Sequence, residues 1–139
     1  MERKTPLYDK HLKYAGKITA FAGYLLPVQY AGIIAEHMAV RSNAGLFDVS
    51  HMGEITLCGK DALSNLQNLL TNDFSDMSDG RVRYSPMCND NGGIVDDLLV
   101  YRVSYDKYFI IVNAANREKD VKWIKKRIFG EVEFEDVSE

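Results

Sequence analysis

The chain has 139 residues, of which 46% are hydrophobic, 27% charged and 11% aromatic. That length allows one ordinary domain, and that composition excludes an intrinsically disordered chain. Lys and Arg number 17 against 20 Asp and Glu, a net charge of −3, which argues against non-specific nucleic-acid binding. Two cysteines, Cys58 and Cys88, are too few for a four-thiolate zinc site or a disulfide scaffold, so both are expected reduced and largely buried. The start of the chain is charged, and no apolar run approaches the length of a membrane span. A cytoplasmic chain without membrane contact is therefore expected.

Residues 1–17 are locally basic, through Arg3, Lys4, Lys10, Lys13 and Lys17, and read as solvated surface. Gly23 and Pro27 punctuate residues 21–30, which predicts a loop or short strand. Ile33, Ile34, His37, Met38 and Arg41 have helix-face spacing, so residues 31–43 are predicted helical, with Gly45 as the stop. Ile55 and Leu57 alternate with polar neighbours and predict a half-buried strand over 53–58. Asp61 is the predicted cap of a helix whose stripe is Leu63, Leu66, Leu69 and Leu70. A strand is predicted over 82–88. Asn89-Asp90-Asn91-Gly92-Gly93 is a strong turn signal, because Asn and Gly tolerate positive φ. A long strand from Ile94 to about Val103 and an apolar strand over 108–112 follow. Residues 114–128 are predicted helical, with Val121, Ile124 and Ile128 on one face. A last strand is predicted over 131–136, with Val132 and Phe134 inward. This order predicts an α+β fold with a mainly antiparallel sheet and flanking helices.

Chemistry concentrates in Gly92-Gly93-Ile94-Val95-Asp96-Asp97-Leu98-Leu99-Val100-Tyr101. Two adjacent carboxylates sit inside an apolar strand, where neighbours point to opposite faces. One face carries Asp96 with Ile94, Leu98, Val100 and Arg102. The other carries Asp97 with Val95, Leu99, Tyr101 and Val103. Arg102 marks the first face as the more polar, so Asp97 is expected to be the buried acid. Burying a carboxylate is costly unless it is paired or hydrogen-bonded, and such groups often serve function. The alternative is a pair of hairpin-end acids held by backbone N–H groups.

His11, His37 and His51 lack metal-ligand spacing with the acids, and no metal site is expected. Gly92-Gly93 lacks the Lys-Ser/Thr of a phosphate loop. Tyr84, Tyr101, Tyr105 and Tyr108 flank the central strands. They either line a pocket for a planar heterocycle or are ordinary sheet residues.

These segments resemble the glycine cleavage system T-protein family, the tetrahydrofolate-dependent aminomethyltransferases, in its N-terminal part. The resemblance rests on Thr5-Pro6-Leu7-Tyr8, Phe21-Ala22-Gly23, Glu36-His37-Met38-Ala39-Val40-Arg41 and Gly45-Leu46-Phe47-Asp48-Val49-Ser50-His51-Met52-Gly53-Glu54. It continues through Thr71-Asn72-Asp73, Tyr84-Ser85-Pro86-Met87-Cys88-Asn89, the strand from Gly92 to Tyr101, and Val112-Asn113-Ala114-Ala115-Asn116-Arg117-Glu118-Lys119-Asp120. Tyr24 departs from the family's usual Trp.

The resemblance implies transfer of a one-carbon unit from the lipoylated H-protein arm to tetrahydrofolate, with release of ammonia. It puts the family's key aspartate at Asp97, where it orients folate and assists transfer. It puts Met52, Tyr84, Tyr101, Val112 and Asn113 near the folate pocket. Family chains are much longer, with three domains around a central channel. Residues 1–139 therefore correspond to the N-terminal part of the folate-binding domain, with the remaining domains absent. A second chain supplying them, or self-association, is the expected partner, and the chain alone is expected to be inactive. The alternatives are a stand-alone folate-binding module without catalysis, and a related folate-dependent demethylase or iron–sulfur-assembly relative.

Overall fold

The computed structural model describes residues 2–138, which fall into two units, one ending at His51 and the other starting at Met52. In the first, β1 (Arg3–Lys4) leads through α1 (Tyr8–Lys13) to a hairpin of β2 (Lys17–Phe21) and β3 (Tyr24–Gln29), and α2 (Ile33–Ser42) follows. The three strands are ordered β1-β3-β2. Residues 21–30, expected as loop or short strand, are thus mostly strand. Gly23 is the hairpin turn rather than a break: Ala22 at φ 50° and Gly23 at φ 82° both adopt the left-handed conformations of a two-residue turn. Pro27 is tolerated because β1 pairs only with Tyr24 and Leu25, so no ladder on that side needs its missing N–H.

The basic residues of the first segment are exposed as expected, but Thr5 and His11 are buried. Asp48 gathers them. Its Oδ2 accepts from Thr5 Oγ1 at 2.7 Å and lies 2.7 Å from His11 Nε2, and its Oδ1 accepts from the Ser50 N–H at 3.0 Å. Burial raises the Asp48 carboxyl, but the hydrogen bonds from Ser50, Thr5 and His11 outweigh it and hold the group well below the usual range. A neutral His11 that donates Nε2–H to Asp48 leaves Nδ1 to accept from the Tyr30 hydroxyl at 2.6 Å. Helix α2 forms where the spacing predicts it and ends at Ser42, before Gly45. Its apolar residues are not core: Ile33, Ile34 and Met38 are exposed.

The second unit is a five-stranded sheet with two helices. In chain order these are β4 (Gly53–Cys58), α3 (Ala62–Leu69), β5 (Val82–Cys88), β6 (Ile94–Ser104), β7 (Lys107–Val112), α4 (Arg117–Lys125) and β8 (Glu133–Asp136). The sheet order is β5-β6-β7-β4-β8, and every neighbouring pair is antiparallel. Each element lies where the pattern puts it, and α4 is shorter at both ends than its periodic stretch. Ile55 and Leu57 of β4 are fully buried and pack with Leu66 of α3, Ile124 of α4, and Leu98, Val100 and Ile110 of the central strands. Asp61 precedes α3, but its side chain does not cap the helix; Oδ2 accepts from the Glu131 N–H at 2.7 Å, tying β8's approach to the start of α3. Cys58 and Cys88 are free and half-buried rather than largely buried.

The Asn89 turn closes the β5–β6 hairpin. Asn89 N–H donates to the Gly93 carbonyl at 2.8 Å, and Asn89 Oδ1 accepts from the N–H groups of Asn91 and Gly93, each at 3.0 Å. Gly92 supplies the positive φ, 79°. This turn fixes the register that sets Met87 opposite Asp96 and Pro86 opposite Asp97.

Candidate functional site

All six sequence-predicted site residues belong to the second unit, and four of them, Tyr84, Asp97, Tyr101 and Val112, divide between the two faces of its sheet. Asp96, Leu98 and Val100 are buried, while Asp97 and Leu99 are half-buried and Tyr101 is exposed. The covered face is therefore the one with Asp96. This corrects the expectation that Asp97 is the buried acid. Arg102, which suggested a polar face, lies where β6 runs past the core. It pairs with Asp79 at 2.9 Å and bonds the Met77 carbonyl, so it closes the end of the covered face.

Asp97 thus stands on the outer face. Register brings Tyr84 opposite Leu99, Val82 opposite Tyr101, and Phe109 and Ile111 opposite Tyr101 and Leu99. Together these residues make an aromatic and aliphatic surface around one carboxylate. Tyr84 is 53% exposed and Tyr101 38%. The Tyr84 hydroxyl is raised above its ordinary value, by partial desolvation first and then by its hydrogen bond to the Asp97 carboxylate. Tyr84 is therefore a standing donor to Asp97 at neutral pH. Tyr101 lies four residues along the strand, about 13 Å from Asp97, and its ring meets Phe109 edge-on at 6.3 Å.

Asn113, just past β7, reaches the acids from the other side. Its Nδ2 donates to Asp96 Oδ1 and to the Asp97 carbonyl, each at 3.0 Å. Its amide oxygen makes no bond to either acid. Met52 directly precedes Gly53, which pairs with Val112, so Met52, Val112 and Asn113 meet at one end of the β4–β7 ladder. Gly53 is required there: a Cβ would lie 2.6 Å from Val112 Cγ2. Val112 is fully buried in the core. Its side chain belongs to the covered face, and only its main chain borders the site.

Sequence reasoning missed a second acid. Asp120 of α4 is fully buried beside Asp96. Burial first, then the hydrogen bond with Asp96 and its negative charge, push Asp120 up to about 8. Burial also raises Asp96, but bonds from Asp120, the Asp97 main chain, Asn113 and Asn116 outweigh it and hold Asp96 below the ordinary carboxyl range. The signal was present: Asp120 lies one turn before Ile124, on the apolar stripe of its helix. Among the described residues, no group of three or more His, Cys, Asp or Glu is arranged to hold a metal ion, and no helix is long and apolar enough to cross a membrane.

The family model of the GCVT N-terminal domain matches residues 7–139. An aminomethyltransferase from Thermoanaerobacter pseudethanolicus is 58% identical over 139 residues, covering 99% of this chain and 38% of that protein. One from Halalkalibacterium halodurans is 52% identical over 136 residues, covering 98% of this chain and 37% of that protein. The crystal structure of glycine cleavage system aminomethyltransferase T from Bartonella henselae superposes with a TM-score of 0.93 at 36% identity, over 99% of this chain and 39% of that one. The chain thus spans less than two fifths of the length of these relatives. It belongs to the GCVT N-terminal domain family, that of the glycine cleavage T-protein aminomethyltransferases.

Proposed function

We propose that the outer face around Asp97 is one wall of a tetrahydrofolate site, and that the chain serves aminomethyl transfer in glycine cleavage. The observation that supports this most is a single carboxylate on an open aromatic sheet face, held by a tyrosine donor. Tetrahydrofolate accepts the one-carbon unit at its reduced ring nitrogens. Asp97 receives hydrogen bonds from N–H groups of that ring and stabilises positive charge developing there. Tyr84 orients the Asp97 carboxylate, and its ring offers a flat apolar surface to the heterocycle. The Asn113 amide oxygen is an acceptor for a ring N–H, because its NH2 is already engaged with Asp96 and the Asp97 carbonyl. Met52 fills the slot's end with a polarizable, adaptable side chain. Val112 contributes through its main chain, and Tyr101 contacts the part of the ligand that lies farther along β6.

The donor of the one-carbon unit in this reading is the lipoylated arm of an H-protein, in the cytoplasm. One wall leaves the ligand open to water, so transfer needs the portions of the relatives that this chain does not span, brought by a second chain or by further sequence. Mixing the chain with a protein carrying those portions, and following folate-dependent ammonia release, tests the reading. Activity is expected only in the mixture, and it falls at least about a hundredfold with Asp97→Asn. A mixture that binds tetrahydrofolate no better than either part, and releases no ammonia, overturns it.

A further inference from the structure

Three oxygens in the covered layer behind Asp97 lack a donor when both acids are ionised: Asp96 Oδ2 and Asp120 Oδ1 and Oδ2. Asp96 is 6% exposed and Asp120 0%. Two bare carboxylates in contact inside a core are strongly unfavourable, whereas one shared proton turns the same contact into a charge-assisted hydrogen bond. Other groups around the pair are few. Lys119 Nζ lies 3.9 Å from Asp120 Oδ1 but is held by the Val95 carbonyl at 2.5 Å. Asn113 and Asn116 donate to Asp96, and Asp97 faces away on the other side of β6. Lys119 brings one positive charge to the edge of two negative ones and the amides bring none, so a shared proton completes the balance of the pair.

From this geometry we infer that Asp120 is a positioning residue of the Asp97 site, acting as a neutral acid that donates to Asp96. The chain of contacts is short. Asp120 anchors Asp96, Asp96 Oδ1 holds Asn113 Nδ2, and the same amide nitrogen grips the Asp97 carbonyl. Asp120 on α4 thereby fixes both the main chain that aims Asp97 and the orientation of the Asn113 amide. Loss of the shared proton puts two negative charges in contact and loosens that chain from behind. The inference rests on the Asp97 reading only for its consequence in folate binding; the proton and the anchoring are properties of the chain itself.

The direction with pH follows from linkage. Asp120 in the folded chain is pushed up to about 8 by burial and by Asp96, far above the range of an ordinary aspartate, so the folded state binds more protons. The Asp120 contribution to stability is fully present below about 4 and is lost as pH rises through 8, lowering the folding constant by up to about tenfold per pH unit in between. The comparison of wild type with Asp120→Asn isolates the pair from every other pH-dependent contribution.

The experiment uses carbon-13 NMR of the aspartate carboxyls and urea unfolding of the full chain from pH 5 to 9. The expected result is a carboxyl pair with an apparent step near 8, sensed by the Asn113 side-chain amide and the Asp97 amide. Wild type loses folding constant relative to Asp120→Asn across that range. Asp120→Ala shifts the Asn113 and Asp97 signals, and Asp120→Asn, which keeps a neutral donor, restores them. With tetrahydrofolate as probe, wild-type affinity falls roughly tenfold between pH 7 and 9 and that of Asp120→Asn does not. Both acids titrating near 4, or Asn113 and Asp97 signals indifferent to Asp120→Ala, overturn the inference. If wild type binds no tetrahydrofolate even when supplemented with the relatives' remaining portions, the folate reading fails, and the NMR and unfolding data still decide the role of Asp120.

Discussion

The two faces of the five-stranded sheet share one alternating pattern and opposite fates. The covered face sets Leu98 and Val100 of β6 beside Ile110 and Val112 of β7 and Ile55 and Leu57 of β4, all sealed by α3 and α4. The outer face sets Leu99, Tyr101, Phe109 and Ile111 in similar density and leaves them half-buried or exposed. Hydrophobicity alone does not separate the faces; the helices do. Each face also carries one of two adjacent aspartates, and their surroundings give them different chemistry. Asp96 is locked among Asp120, Asn113 and Asn116, whereas Asp97 meets a tyrosine hydroxyl at an open surface.

The contrast is broken most strongly from the covered side. Ile55→Ala or Leu66→Ala removes a fully buried side chain from that layer and is expected to cost about 2–5 kcal/mol in urea unfolding. Asn65→Ala comes next. Asn65 is fully buried, donates to the carbonyls of Asp61 and Phe129 at 2.8 and 2.9 Å, and accepts from the Phe129 N–H at 3.0 Å. Its loss strands main-chain groups where α3 meets the end of α4, at a cost of about 2–3 kcal/mol. On the outer face, Tyr101→Ser gives up an edge-on contact with Phe109 and is expected to cost about 1 kcal/mol or less. Smallest in stability is Asp97→Asn, at about 0.5 kcal/mol or less, although its effect on folate binding is the largest of the set.

Much of this was legible in the sequence. The register of the second unit follows from period-two alternation in β4, the Asn89–Gly93 turn and the leucine stripe of α3, signals that are local and mutually consistent. The hairpin of the first unit was not, because a turn at Ala22-Gly23 and a proline within β3 resemble loop punctuation until the short reach of β1 is known. Motif resemblance and the argument from burial both pointed to Asp97, and the structure overturns the premise of the second, since Asp96 is the buried acid. Alternation says that Asp96 and Asp97 face opposite ways; which side receives the helices is a property of tertiary packing. Arg102 misled because a residue at a strand's far end can share a face with the core without lying in it. Asp120 escaped notice because its partner is 24 positions away in sequence, and only the packing of α4 on β6 joins them.

The central claim is that the outer-face acid, rather than its covered neighbour, reads the folate ring. Calorimetric titration of tetrahydrofolate into the full chain, supplemented with the relatives' remaining portions, tests it through the Asp97→Asn variant. The account predicts saturable binding to wild type, weakened at least about tenfold in a variant that unfolds at the same urea concentration. Undiminished binding to Asp97→Asn would contradict it.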